Sequence, residues 1–330
     1  MTEYRYDICG IGNALMDVIA PVDDAFIAAH GCARGTMTLV DTARAEALHS
    51  AMTEATESSG GSGANTAAVA AALGSRVAYL GRVADDALGQ RFRADISAAG
   101  VTFPTAPLHG ELSTGRSLIL VTPDGQRTMN TYLGASNRFG PEQLDAAVIA
   151  DSAVLYLEGF LFDPPTAQDA FRAAAAIAHA NGRLVALSLS DPFCVDRHRA
   201  AFRDLVAGHV DIMFANEAEI TSLYETDDFD AAAARARTDC RLAALTRSEH
   251  GSIVVHGDGT ETIAAEPTAV IDTTGAGDAY AAGFLAAYTA GKSLAQCGRL
   301  GSVAAAEVIS HYGARPVRDL SGEMARLTTA

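Results

Sequence analysis

The chain has 330 residues, 49% of them hydrophobic, and a formal net charge of −16; this suits one large domain, or a large and a small one, around a sizeable core and argues against disorder. That charge sets nucleic-acid backbones and anionic membranes aside as partners, and no stretch of about 20 apolar residues offers a membrane span. Five scattered cysteines without a CxxC pair, behind an N-terminus lacking a signal-type apolar run, fit the reduced thiols of a cytoplasmic protein better than a disulfide frame or a metal centre.

In chain order, the first predicted element is a strand over Asp7–Ile11 that ends at Gly12. Asn13 and Asp17 follow it, four residues apart. Asp17 could accept two hydrogen bonds from a vicinal diol such as that of ribose; a turn asparagine and a surface aspartate would read the same way. Residues 14–60 break the rhythm, with an isolated apolar run at Met37–Val40. The stretch SSGGSGANTA, 58–67, comes next. Its glycines at 60, 61 and 63 let backbone approach a ligand, and Asn65 lies at the opening of a helix predicted over Ala64–Leu73. A flexible loop with a helix cap is the plain alternative, and the GxGxxG pattern of a dinucleotide site is missing. A strand over Arg76–Leu80 and a helix over Ala87–Ala99 precede a second break at 106–135. There Ser117–Val121, the turn Pro123-Asp124-Gly125 and Arg127–Thr131 read as a hairpin. Together the two breaks predict a small strand-built lid over the sheet edge, the alternative being two surface excursions.

The rest of the chain alternates. Strands are predicted over Val154–Leu157, Leu184–Leu187, Ile212–Phe214, Leu242–Thr246 and Ser252–His256. Helices are predicted over Ala167–Ala180, His198–Gly208, Asn216–Tyr224, Phe229–Asp239, Gly277–Tyr288 and Leu294–Ser310. This predicts an open α/β sheet with helices on both faces, whose ligands bind at the carboxyl ends of the strands. Phe160 and Phe193 end or follow such strands and either face a base or close the core. In NEAE, Asn216 and Glu219 share a helix face; they suit a hydrated magnesium ion and its phosphates, or simply cap the helix. The most informative segment is DTTGAGDAYAAGF, 272–284. Gly275, Ala276 and Gly277 offer backbone N–H groups at a helix start, which welcome an anion. Asp278 beside them makes sense as the group that takes a proton from a hydroxyl attacking a phosphate. The one Gly-Lys-Ser, 291–293, lacks the upstream glycine of a P-loop, and the nine histidines show no HExxH or tight cluster.

On these motifs the chain resembles the ribokinase-like (PfkB) carbohydrate and nucleoside kinases. SSGGSGANTA matches the first family signature, DTTGAGDAYAAGF the second, and NEAE the magnesium and phosphate motif; the likeness runs from the first strand to about Pro316. Within the family the chain is most similar to the adenosine kinases, through GNALMD at 12–17, GFL at 159–161, LSLSDPF at 187–193 and Arg127 in QRTMN. The resemblance implies a ribokinase-like three-layer α/β/α sandwich with a small β-sheet lid. The large domain would take 1–13, 61–105 and 136–330, and a discontinuous lid 14–60 and 106–135. It implies ATP-dependent phosphorylation of the 5'-hydroxyl of adenosine, with Mg²⁺ and, as in some members, a monovalent cation such as K⁺.

The roles implied are these. Asp278 is the base, residues 275–277 the anion hole, and Arg127 a lid arginine near the transferred phosphate. Asn13, Asp17, Gly61 and Asn65 line the sugar, and Phe160 and Phe193 the base. Asn216, Thr246, Arg247, Gly251 and Thr274 serve the nucleotide, with its base also near 302–311, and Glu219 serves the magnesium. Asp272, Thr274 and Gly313-Ala314 resemble the family's monovalent-cation site. Ser248 stands where adenosine kinases often have glycine, which leaves donor preference open. A ribose or fructose kinase, or an inosine or guanosine kinase, stays open as the alternative within the family. A non-enzymatic nucleotide or sugar sensor is the alternative from another class, and a base kept together with a metal motif argues against it. The expected partners are small molecules, with the chain a monomer or a homodimer paired through lid edges.

Overall fold

The computed structural model describes residues 4–110, 112–257 and 259–327. Among the described residues fourteen strands run in chain order: β1 (Tyr6–Ile11), β2 (Leu15–Pro21), β3 (Met37–Leu39), β4 (Thr56–Gly60), β5 (Val77–Leu80), β6 (Val101–Thr102), β7 (Thr114–Val121), β8 (Arg127–Gly134), β9 (Ser152–Glu158), β10 (Leu184–Ser188), β11 (Ile212–Asn216), β12 (Leu242–Thr246), β13 (Ser252–His256) and β14 (Gly259–Ile263). Twelve α-helices accompany them among the described residues: α1 (Asp24–Ala29), α2 (Thr42–Ala51), α3 (Ser62–Ala72), α4 (Ala87–Ala98), α5 (Ala146–Ala150), α6 (Pro165–Ala180), α7 (Pro192–His209), α8 (Glu217–Tyr224), α9 (Phe229–Asp239), α10 (Ala276–Thr289), α11 (Leu294–Val308) and α12 (Glu323–Arg326).

The main sheet has the order β14-β13-β12-β11-β10-β9-β1-β5-β6, parallel except for the antiparallel hairpin edge β12-β13-β14. Its strands alternate side chains between two cores, as the pleat requires. In β1, Cys9 and Ile11 enter the core beneath α5 to α9, while Ile8 enters the core beneath α3, α4, α10 and α11. This is the ribokinase-like α/β sandwich. From β1 the chain first builds outward to β5 and β6, then returns to lay β9 on the other side of β1. The crevice beyond the carboxyl ends of β1 and β9 is therefore the switch point, where open α/β sheets bind ligands.

The second sheet has the order β3-β8-β7-β2-β4. The predicted hairpin is there, with Val121 opposite Arg127 and pairing that continues to Thr114 opposite Gly134. One face of this sheet, through Val18, Leu118 and Leu120, packs on Ile27 of α1 and on Ala45 and Leu48 of α2. The sequence pattern predicts neither helix, although Asp23 and Asp41 cap them by accepting the N–H groups of Phe26 and Arg44 at 2.7 and 2.8 Å. Nor does the pattern predict β2, β4, β6 and β14 or the short helices α5 and α12. β4 (TESSG) carries no large apolar side chain to mark it, and it leans on α4, where Asp95 takes the Ser59 N–H at 2.7 Å. The three-residue β3 forms the opposite edge. Several element boundaries also differ from those predicted: α3 starts at Ser62, α6 at Pro165 and β7 at Thr114, and β8 runs on to Gly134. Asn216 is the cap of α8 rather than its first residue, α7 starts at Pro192 and is interrupted at His198, and α11 ends at Val308.

Candidate active site

The second sheet's other face and the strand ends of the main sheet enclose a cavity of about 400 Å³, within the range of small-molecule sites. Its roof is mainly apolar, with Leu15, Met37, Leu39, Ile119, Met129 and Leu133 beside the polar Asp17, Ser117 and Thr131. Its floor is polar, built by Asn13 after β1, Glu158 ending β9, Ser188 ending β10, Asn216 ending β11 and the first turn of α10.

That first turn follows from its sequence. Gly275 sits at φ +78° as the cap of α10, and a Cβ there would stand 2.7 Å from the Cβ of Ala314, so only glycine fits on both counts. Gly275, Ala276 and Gly277 line the cavity with Thr274. Asp278 lines it as well, its carboxylate accepting from Ser62 Oγ at 2.5 Å. Burial pushes the Asp278 carboxyl up to about 6, against the pull of hydrogen bonds from Ser62 and Asn65. A carboxyl in that range is a usable base near neutral pH.

On the sugar side, Gly61 adopts φ +92°, and a side chain there would collide with the Asn13 carbonyl. Asp17, Gly61 and Asn65 all face the cavity with Asn13. Burial raises Asp17 to about 6 while Arg315 and Arg127 pull it down and Asp278 raises it further. Glu158, not singled out in the sequence, is buried among these groups. Its carboxylate accepts from Gly63 N at 2.7 Å, Asn13 N at 3.0 Å and Asn13 Nδ2 at 3.1 Å. Burial pushes it up to about 8 even against those three donors, with the charge of Asp278 adding to the rise. Its only sequence signal was a carboxylate ending an otherwise apolar strand.

Asn216 and Glu219 form a reciprocal cap. Glu219 N donates to Asn216 Oδ1 at 2.8 Å, and Asn216 N and Nδ2 donate to the Glu219 carboxylate at 3.0 and 2.6 Å. Unlike an ordinary capping glutamate, Glu219 is buried, faces the cavity and is pushed up to about 7 by burial. A cation brought in by a ligand would relieve that cost. Among the described residues no three acidic, histidine or cysteine side chains converge on one metal position. The donor set therefore suits magnesium that arrives on nucleotide phosphates and keeps most of its waters.

Several expected residues lie elsewhere. Phe160 lines the cavity, but Phe193 does not. Asp191 caps α7 by accepting from Phe193 N at 2.7 Å; this cap, with Pro192 in the first turn, leaves Phe193 73% exposed while Cys194 and Val195 turn inward. Thr246 lines the cavity, whereas Arg247 lies over the Phe229 ring at 4.3 Å with Glu217 beside it. Gly251 closes the turn back to Arg247 through its carbonyl and also stays outside the cavity lining. Arg127, at the start of β8, is ion-paired with Asp272 and donates to Thr274 Oγ1 at 2.8 Å. The Asp272 carboxylate also accepts from Thr274 N at 3.1 Å and Gly313 N at 3.0 Å, so a guanidinium already answers the charge expected to help hold a monovalent cation. The five cysteines are free thiols. No described helix is long and apolar enough to cross a membrane.

Comparison with known proteins bears on this geometry. The family model described as pfkB family carbohydrate kinase matches residues 7–319. Adenosine kinase of Saccharomyces cerevisiae is 29% identical over 329 residues, covering 92% of this chain and 94% of the yeast protein. An uncharacterized sugar kinase of Archaeoglobus fulgidus is 28% identical, covering 74% of this chain and 95% of its own. Among solved structures, adenosine kinase from Sinorhizobium meliloti superposes with a TM-score of 0.91 at 52% identity, covering 99% of this chain and 100% of the other. A probable sugar kinase from Rhizobium etli CFN 42 does so with a TM-score of 0.92 at 48% identity, covering 98% and 99%.

Proposed function

The chain belongs to the pfkB family of carbohydrate kinases, and we propose that within it the protein transfers the γ-phosphoryl group of ATP to the 5'-hydroxyl of adenosine, giving AMP and ADP. As a family member it is a phosphotransferase acting on an alcohol of a small nucleoside or sugar. The single observation that carries the reaction is Asp278, a carboxyl raised to about 6 in the first turn of α10, beside backbone donors 275–277 on the floor of the cavity.

Phosphoryl transfer asks mainly for positioning and charge stabilisation. Asp278 orients the acceptor hydroxyl and takes its proton. The N–H groups of Gly275, Ala276 and Gly277 meet charge that grows on the transferred group. Magnesium, when bound with the nucleotide, neutralises phosphate charge, and Glu219 is the buried carboxylate nearest in kind to that task. Thr246 and Thr274 serve the nucleotide side. Arg127 and the sheet that carries it keep water from the reacting groups.

The acceptor is argued from the roof. A free sugar presents hydroxyls all round and would leave the leucine, isoleucine and methionine side chains of the roof unmatched. A purine offers an apolar face to those side chains and to Phe160, while its ribose reaches Asp17 on β2 and Asn13 and Asn65 below it. The adenosine kinases among the relatives and solved structures support the same choice. The test is ADP release with MgATP across adenosine, inosine, guanosine, cytidine, ribose and fructose. Adenosine is expected to give the highest kcat/KM. Turnover led by ribose or fructose would replace this reading with the sugar kinase one, and no turnover on any acceptor would remove the enzyme reading altogether.

A further inference from the structure

The loop that follows α11, Gly313 to Arg315, touches both signature turns. Gly313 N donates to Asp272 at 3.0 Å, Ala314 packs against Gly275, and Arg315 crosses to the sugar side. There the Arg315 Nε donates to Asn65 Oδ1 at 3.4 Å and its Nη1 donates to Asp95 Oδ2 at 3.3 Å. Asp95 in turn holds the Ser59 N–H at 2.7 Å and the Ser59 hydroxyl, which fixes the start of the 58–65 turn. Arg315 does not line the cavity.

The consequence lies in the Asn65 amide, which is buried and has one accepting end and one donating end. A guanidinium has only donors, so the oxygen must face Arg315. The NH2 end is then left for Asp278, which lines the cavity with Asn65 and is already held by Ser62, one turn earlier on α3. Turned over, the amide would set its oxygen against the Asp278 carboxylate and its NH2 against the guanidinium, two repulsions in a buried site. We propose that Arg315 is a positioning residue of this kinase, locking Asn65 in the one orientation that donates to the catalytic carboxylate. The proposal rests on the kinase reading above.

Other charges surround these groups. Asp278 shares its environment with Asp17 on β2, Tyr156 and Glu158 on β9, Tyr79 on β5 and Glu219 on α8. Arg315 faces Asp95 on α4, Asp17 and Tyr79. None of these residues carries a planar guanidinium fork that could reach Asn65 and Asp95 together.

The test is a double-mutant cycle, run with whichever acceptor of the panel the wild-type chain turns over. Arg315→Lys keeps the charge near Asp95 but lacks the fork that reaches Asn65 as well. It is expected to lower kcat roughly tenfold, to leave KM for ATP within about twofold, and to move the acid limb of the kcat profile to higher pH as Asp278 loses a fixed donor. In an Asn65→Ala background the same substitution is expected to cost less than about twofold and to leave the limb in place. Arg315→Met repeats the cycle without the charge; should it fail to fold, the lysine variant alone decides. Equal losses in both backgrounds, or a loss of melting temperature with an unmoved pH profile, would overturn the proposal. A wild-type chain inert on the whole panel would overturn the kinase reading, and this proposal with it.

Discussion

Asp278→Asn separates a base from a structural carboxyl, because the two roles predict opposite signs for stability. In the fold the Asp278 carboxyl is raised from 3.8 to about 6 by burial. At about 1.4 kcal/mol per unit, ionising it above pH 6 costs the native state up to about 3 kcal/mol relative to the unfolded chain. Asparagine removes that cost and still accepts from Ser62, but it gives up the acceptor that faces Asn65, a loss of about 1 kcal/mol. The net expectation at pH 7.5 is a variant more stable by about 1–2 kcal/mol, allowing for the carboxyl's contact with cavity water. The gain is full above pH 6. It fades as pH falls from 6 towards 3.8, where the wild-type carboxyl takes up its proton in the fold. Over the same change kcat is expected to fall at least ~10²-fold, and wild-type kcat should decline as pH drops through about 6. The assays are thermal unfolding of both chains from pH 4 to 8 and ADP release with MgATP. Turnover near wild type would refute the base assignment, and a variant that melts earlier than wild type at pH 7.5 would refute the buried-charge account behind it.

Three other outcomes follow from the site. Asp17→Ala should raise the acceptor KM at least ~10-fold and leave KM for ATP almost unchanged, since it removes an acceptor for the sugar hydroxyls; equal affinity for ribose-bearing acceptors afterwards would end the diol role. Gly275→Ala should lower kcat by more than ~10²-fold, because the new Cβ meets Ala314 while φ is positive. A measured kcat within a few-fold of wild type would mean that the anion hole does not depend on this turn. Glu219→Gln retains much of the cap with Asn216 but not the charge, so it should raise the magnesium concentration needed for half-maximal rate by several-fold; an unchanged magnesium titration would confine Glu219 to capping α8.

What the sequence determined by itself is local. The run 272–284 holds a left-handed glycine, a helix start and a carboxylate within a single turn, so their mutual geometry follows from neighbours a few residues away. NEAE likewise specifies its own reciprocal cap. The alternation of short apolar strands with alanine-rich helices fixed the α/β class, because side-chain periodicity needs no knowledge of partners. Even the capped helices α1 and α2 left a signal in Asp23 and Asp41. Tertiary structure decided what meets across the strand ends. Glu158 holds Asn13 from 145 residues away, Ser62 holds Asp278 across 216, and Arg315 reaches Asn65 across 250. Arg127 pairs with Asp272, and Phe193 stays exposed outside the cavity lining, where Asp191 starts a helix in front of it. These pairings depend on the order of strands in the sheet, which sets β9 beside β1 and brings the loops at their ends together. Hydrophobic burial drives that order collectively, so no short window of sequence contains it.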